Sequence, residues 1–302
     1  MTFIPAKKIQ SILKGKKTAY LLLLPALIIF VIFFVYPNAH VFYLSLFRWT
    51  GISPQKFFIG FENYRRLLFK DTIWTKAVIN TAIIAIQSIG IQIPVALALA
   101  ILLNKKIRGA GIFTSIIFLP LLISLVAIAM VWTWMYDPTF GIINKVLEKL
   151  GLTILAREWL GDMSTALFSV IVTINWIYIG LYVVILMAGL KSIPKSIFDA
   201  ARVDGLSELQ TACRITIPLL KEVIAVIIIM CITGSFKSFD LIWIMTYAGP
   251  AHATELVSTH LYRMGFRRLE AGYASAIGVI IFFICLITIV IQLRIMRIKI
   301  AK

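Results

Sequence analysis

Residues 193–220 read IPKSIFDAARVDGLSELQTACRITIPLL and lie between two long apolar runs. The stretch sets Asp199, Arg202, Asp204, Glu208 and Arg214 around Gly205, and its punctuation describes two short helices. Ser192 is placed to cap the first, with Pro194 in its first turn, where a missing amide proton costs nothing. Ile193, Ile197 and the pair Ala200/Ala201 then share one side, with Lys195, Asp199 and Arg202 elsewhere. Gly205 supplies the left-handed conformation that ends this helix, and Ser207 caps a second one with Leu209, Ala212 and Cys213 on one face. Pro218 opens the apolar run that follows. A capped linker explains the turn residues but leaves the length and the small-residue face unexplained.

The flanking runs set its surroundings. Of 302 residues, 61% are hydrophobic and 14% charged, with mean hydropathy +0.96, which is more apolar material than a soluble core of this size uses. A helix crosses a hydrocarbon layer about 30 Å thick with roughly 20 residues, because every backbone amide must be satisfied internally. Segments 18–36, 77–103, 111–135, 164–190 and 272–293 meet that length. A sixth, 218–247, is interrupted by Lys237 and Asp240, three residues apart and so on one face of a continuous helix. The expectation is an all-α integral membrane protein with six transmembrane helices.

The basic residues Lys7, Lys8, Lys14, Lys16 and Lys17 resemble the start of a signal peptide, but no small-residue cleavage site follows, so the first run reads as a retained helix. Lys and Arg number 17 on the side of the two termini and 12 on the other, which puts both termini in the cytoplasm. The chain then divides into a cytoplasmic segment 1–17, a first helix with its outer loop at 18–75, a five-helix region at 76–294 that includes a cytoplasmic segment 191–218, and a cytoplasmic tail 295–302. The outer loop carries RWTGISPQKFFIGFENYRRLLFKD, with aromatic and basic residues interleaved. It reads as a cover over helix ends, with partner docking as the other reading. FGIINKVLEKLGL, from Phe140, has the spacing of a short amphipathic helix at the interface.

The formal charge of +17 lies in gaps between apolar runs, which argues for topology and against nucleic acid. Cys213, Cys231 and Cys285 suggest neither a disulfide framework nor a metal site, and none of His40, His252 and His260 falls in an expected span. No catalytic constellation is visible, and residues 15–18 lack the upstream glycine of a phosphate loop, so ATP would have to be handled by another polypeptide. A membrane enzyme acting on lipid-linked sugar would need paired carboxylates or a metal site. A stand-alone carrier or channel would need acids within its spans and an internal repeat, and only Asp240 qualifies.

The central stretch resembles a signature of permease subunits of ABC importers: Glu-Ala-Ala, three residues, Gly, nine residues, Ile, one residue, Leu-Pro. Here it reads Asp199-Ala200-Ala201, Gly205, Ile215 and Ile217-Pro218, with Asp for Glu and Ile for Leu. ENYRRLLF, NTAIIAI, WLGDMSTAL and TYAGPAHATELVSTHLYRMGFRRLEAGYASAIGVIIF are similar to sugar-type members, although Ala248 stands where Gly is usual. The resemblance covers nearly the whole chain. It implies a type I importer permease in a bacterial or archaeal cytoplasmic membrane, pairing with a second, homologous permease. It also implies that Asp199, Ala200, Ala201, Asp204, Gly205, Ile215 and Pro218 couple to a cytoplasmic ATPase dimer that holds ATP and magnesium, while an extracytoplasmic binding protein delivers the solute.

Polar side chains within spans usually face the bundle interior or water. Asn80, Gln87 and Gln92 occupy the second run, and for Gln87 and Gln92 interhelical hydrogen bonding is the favoured reading. Asn175, Trp176, Tyr178 and Tyr182 in the fourth, with Ser235 and Ser238 in the fifth, offer the rings and hydroxyls that a sugar needs. Lys237 and Asp240 suit either a mutual salt bridge, outward exposure or substrate contact. In maltose-type relatives the sugar site lies in these two spans, and the resemblance adds Cys231 to the set. Trp176, Phe236 and Phe239 match as well and read equally as packing.

Overall fold

The computed structural model describes residues 16–105 and 108–295 and is helical almost throughout. The cytoplasmic segments expected at 1–17 and 295–302 fall, apart from Lys16, Lys17 and Ile295, outside these residues. Among the described residues, four helices are each long and apolar enough to cross a membrane: Leu22–Leu44, Thr72–Asn104, Ala166–Ser192 and Ala271–Arg294. Counting two bent pairs as one span each brings the number to six.

Among the described residues, contacts gather two compact units: one runs up to Arg65 and includes Met264–Val279, and the other is Arg66–Arg263 with the residues from Ile280 onward. In the first, the opening helix continues to Leu44, past the expected end at residue 36, and so contains His40. A two-residue hairpin, Phe47–Arg48 with Phe57–Phe58, follows it. Asn63 ties the hairpin down by donating to the carbonyls of Ser45 and Phe47. Gly272 lets the start of the last helix lie on this loop, since a Cβ there would overlap the Phe47 carbonyl oxygen.

Pro37, Pro94 and Pro218 are absorbed by helices instead of ending them. Each follows a π-helical turn, at Val31–Val35, Ser88–Gln92 and Ala212–Thr216. Proline removes one donor and clashes with the carbonyl four residues back, and a wider preceding turn relieves both problems. Accordingly, the residue before the proline bonds five residues back in two of the three cases, Tyr36 to Val31 and Ile217 to Ala212.

In the second unit the Ala166–Ser192 helix is central. Toward residue 192 it packs Val183, Leu186 and Leu190 against Ala96 and Ala100 of the second span and Leu220 and Ile227 of the fifth. Toward residue 166 it packs Val170, Ile171 and Ile174 against Ile128, Leu241, Ile242 and Leu256. The third span is broken: Ala110–Leu122 and Leu125–Met135 meet at 97° across extended Ile123 and Ser124, just after Pro120. Gly180 receives the first half of this pair so closely that a Cβ would overlap the Ile117 carbonyl.

The fifth span is broken too. Lys221–Lys237, about 25 Å long at 1.5 Å per residue, ends at extended Ser238, and a new helix runs Asp240–Thr246. Lys237 and Asp240 therefore do not share a helical face, and no ion pair joins them. The amphipathic helix expected within residues 140–152 is present as Ile142–Lys149.

Candidate functional site

Within residues 193–220, the first helix is Lys195–Val203. Ser192 does not cap it; that serine ends the preceding span, and its hydroxyl donates back to the Gly189 carbonyl, leaving Pro194 as the flanking residue. Ala201 is buried, Ile193 and Ile197 are half-buried, and Ala200 is exposed with Asp199, Arg202 and Asp204. Gly205 adopts φ +72, with its amide bonded to Arg202 and that of Leu206 to Ala201, the paired bonds of a glycine-terminated helix. Ser207 accepts from the Gln210 amide while the Gln210 side chain accepts from Ser207, a reciprocal cap.

The face expected to pack from Leu209, Ala212 and Cys213 is replaced by Ala212, Thr216 and Leu220, and Leu209 and Cys213 are exposed. Val203 and Leu209 flank the glycine turn as exposed apolar side chains, at 88% and 75%. Pro218 lies inside Glu208–Leu219, which meets Lys221–Lys237 at 76°, so the span starts three residues later than expected. Ile215 is half-buried and Pro218 exposed.

This elbow is fixed to the bundle at two points. Lys105, at the end of the second span, meets both Glu208 carboxylate oxygens at 2.6 and 2.7 Å, and that hydrogen-bonded ammonium holds the carboxyl below its ordinary range. Leu220 sits in a notch at Gly189, where a Cβ would stand 2.8 Å from Leu220 Cδ2. A groove of about 680 Å³ runs along the segment, lined by Asn104, Lys105, Lys195, Asp199, Arg202 and Glu208 among others.

A second cavity, about 270 Å³, opens between the second, fourth and fifth spans. Six of the nine expected path residues line it: Tyr178, Tyr182, Cys231, Ser235, Lys237 and Ser238. Asn175 stands behind this lining, where its Oδ1 accepts from Gln92 Nε2 at 2.7 Å. Trp176 is 44% exposed and edge-on to Trp132, and Asp240 is exposed on the next helix. Gln92 thus bridges two helices, whereas Gln87 donates to its neighbour Ser88. Ser88, Thr233 and Gly234 line the cavity as well. Their spacing could have shown it: Ser88 lies four residues before Gln92, and Thr233 and Gly234 lie four before Lys237 and Ser238, one helical turn apart.

At the end of the bundle away from residues 193–220, the Thr72–Gln87 helix holds the segment after the fifth span. Asn80 donates to the carbonyls of Ala253 and Glu255, and Lys76 to that of Ala251. Fully buried Glu255 is met by Arg263 at 2.9 Å, His252 at 2.6 Å and the Thr259 hydroxyl at 2.9 Å. His260 Nε2 lies 2.9 Å from Asp71, and burial holds this imidazole below its ordinary range against the pull of that carboxylate.

Comparison with known proteins follows the same outline. A family model described as a binding-protein-dependent transport system inner membrane component matches residues 92–297. The chain is 37% identical over 283 residues to a probable ABC transporter permease protein, YurN, of Bacillus subtilis (strain 168), covering 93% of this chain and 96% of that one. It is 30% identical over 286 residues to the trehalose/maltose transport system permease protein MalF of Thermococcus litoralis, covering 94% and 95%. Among solved structures, a chain of a bacterial ABC transporter involved in import of the acidic polysaccharide alginate superposes with TM-score 0.81 at 24% identity, covering 98% of this chain and 100% of that one.

Proposed function

The chain belongs to the family of binding-protein-dependent transport system inner membrane components, and on that premise we infer that it is the multi-pass permease subunit of an ABC importer carrying a saccharide. The cavity carries the cargo class: phenol, hydroxyl and amide groups of Tyr178, Tyr182, Ser235, Ser238 and Gln92 converge on it, the mixture of rings and hydrogen-bonding groups that a sugar calls for. The name of the trehalose/maltose relative supports the same class.

Both termini lie in the cytoplasm, the membrane is the cytoplasmic one of a bacterium or archaeon, and residues 193–220 form the coupling segment. Exposed Val203 and Leu209 at its turn are apolar side chains that a protein partner would cover. That partner is an ATPase dimer that binds ATP and magnesium. A second, homologous permease completes the pore, and an extracytoplasmic binding protein delivers the solute. Closure of the ATPases pushes an elbow held rigid by its two caps, its Lys105 ion pair and the Leu220 notch, and so reaches the fourth and fifth spans that line the cavity. Affinity purification in mild detergent should bring down a second permease and a nucleotide-hydrolysing subunit. Recovery of the chain alone, or with enzymes of lipid-linked sugar synthesis, would overturn the reading.

Gly205→Val is expected to uncouple transport. A β-branched residue at φ +72 costs about 1–2 kcal/mol and opens the turn, while nothing else lies within 4 Å of the position. Binding-protein-stimulated ATPase activity and uptake should fall together with membrane insertion unchanged. Normal stimulation in a well-expressed variant would remove the coupling role from this turn.

Single changes Ser235→Ala, Ser238→Ala and Tyr182→Phe each delete one cavity hydroxyl. A neutral hydrogen bond contributes about 0.5–1.5 kcal/mol, so uptake should weaken several-fold while the binding protein's own affinity stays fixed. Unaltered uptake kinetics in all three would move the site to the partner permease.

A further inference from the structure

The fifth span carries another surface beyond the cavity. Phe239, Trp243, Tyr247 and Tyr262 form one connected set of rings: Phe239 stacks on Trp243 with centroids 5.6 Å apart, Tyr262 stands 4.9 Å from each, and Tyr247 meets Trp243 edge-on at 5.8 Å. The set begins beside Ser238, which lines the cavity. The Ser258 hydroxyl donates to the Ser238 carbonyl and fastens the Tyr262 helix at that point.

Asp240 decides what this wall faces. It opens the Asp240–Thr246 helix, and Trp243 follows three residues later, so the exposed carboxylate shares a face with that ring; Tyr247, just past the helix end, meets Trp243 edge-on. Asp240 makes no ion pair among the described residues. A bare carboxylate does not stand in hydrocarbon. The face therefore opens to water rather than to the hydrocarbon of the bilayer. Rings that cover C–H patches beside a carboxylate that accepts from hydroxyls recognise saccharides. Length points the same way. The cavity, at about 270 Å³, is below the usual range for a small-molecule site, while Phe239 to Tyr247 adds about 12 Å of wall.

We propose that Phe239, Asp240, Trp243 and Tyr247, backed by Tyr262, form a second saccharide subsite continuous with the cavity, which selects for oligosaccharides of three or more units. The assignment rests on the reading of the chain as a saccharide permease. The test uses the complete transporter in proteoliposomes with its binding protein. The probe is a radiolabelled panel of di- to hexasaccharides of glucose, N-acetylglucosamine and uronic acid. Trp243→Leu and Asp240→Asn should each lower uptake of trisaccharides and longer chains about tenfold and leave disaccharides within about twofold, with Trp243→Phe close to wild type. Equal losses at every length, no loss at any length, or a wild type that takes nothing beyond disaccharides would overturn the subsite and leave the saccharide permease standing. A wild type that moves no saccharide in the panel would overturn both. Should Trp243→Leu fail to insert, Asp240→Asn decides the matter, because it changes neither shape nor packing.

Discussion

Gly180→Ala is expected to cost about 3 kcal/mol or more, the upper end for overpacking and large for one methyl group. The new Cβ would overlap the Ile117 carbonyl oxygen and crowd the Phe118 Cα. Both are backbone atoms, so no side chain can turn away, and the two halves of the third span would have to move off the fourth. Gly234→Ala makes the same chemical change in the fifth span, where nothing lies within 4 Å of the added methyl. There the loss of unfolded-chain freedom should stabilise the helix by roughly 0.4–1 kcal/mol. Thermal melting of the purified protein in detergent, with expression level as a second reading, should show a large drop for Gly180→Ala and none for Gly234→Ala. Equal melting of both would mean that the third span does not rest on Gly180.

That contact shows where sequence reading reached and where it stopped. Apolar length located all six runs, because covering backbone amides in hydrocarbon demands about 20 residues whatever the neighbours are. The same reasoning took Pro37 and Pro218 for boundaries, since proline usually ends a helix. The π-turns that absorb them leave no mark in the sequence. The break at Ser238 and Phe239 has neither proline nor glycine, and it separates Lys237 from Asp240, which a continuous helix would have aligned. Gly205 and Ser207 were legible because their requirements are local: a positive φ and a hydroxyl at a free amide. Leu209 and Cys213 were not, for an exposed apolar face and a packed one read the same in sequence. Of the six cavity-lining residues, Tyr178, Tyr182, Ser235, Lys237 and Ser238 were singled out by their chemistry and Cys231 by the resemblance. Asn175, Trp176 and Asp240 lie off the cavity lining, because facing direction depends on helix rotation and on breaks.

Arg263→Met should be the most damaging substitution away from the cavity and the coupling segment. Glu255 is wholly buried, and Arg263 is the permanent cation against it, at 2.9 Å. Removing one partner of a buried pair leaves the other charge without compensation and costs about 3–5 kcal/mol. His252 and Thr259 remain in contact, but one is a titratable ring and the other a neutral hydroxyl. The Glu255 carbonyl is also one of the two that Asn80 holds, so the loss should loosen the whole 251–257 segment from the second span. Glu255→Gln in the Arg263→Met background removes the stranded charge and should recover a good part of the melting temperature, a coupling that independent sites would not show. Arg202→Met gives the contrast. Its partner Asp199 lies 3.4 Å away and both side chains are largely exposed, at 81% and 66%; such pairs contribute about 0–1 kcal/mol, so melting should hardly move. If Arg263→Met were as mild as Arg202→Met, or if Glu255→Gln deepened the loss, the ion pair would not be what holds this segment on the bundle.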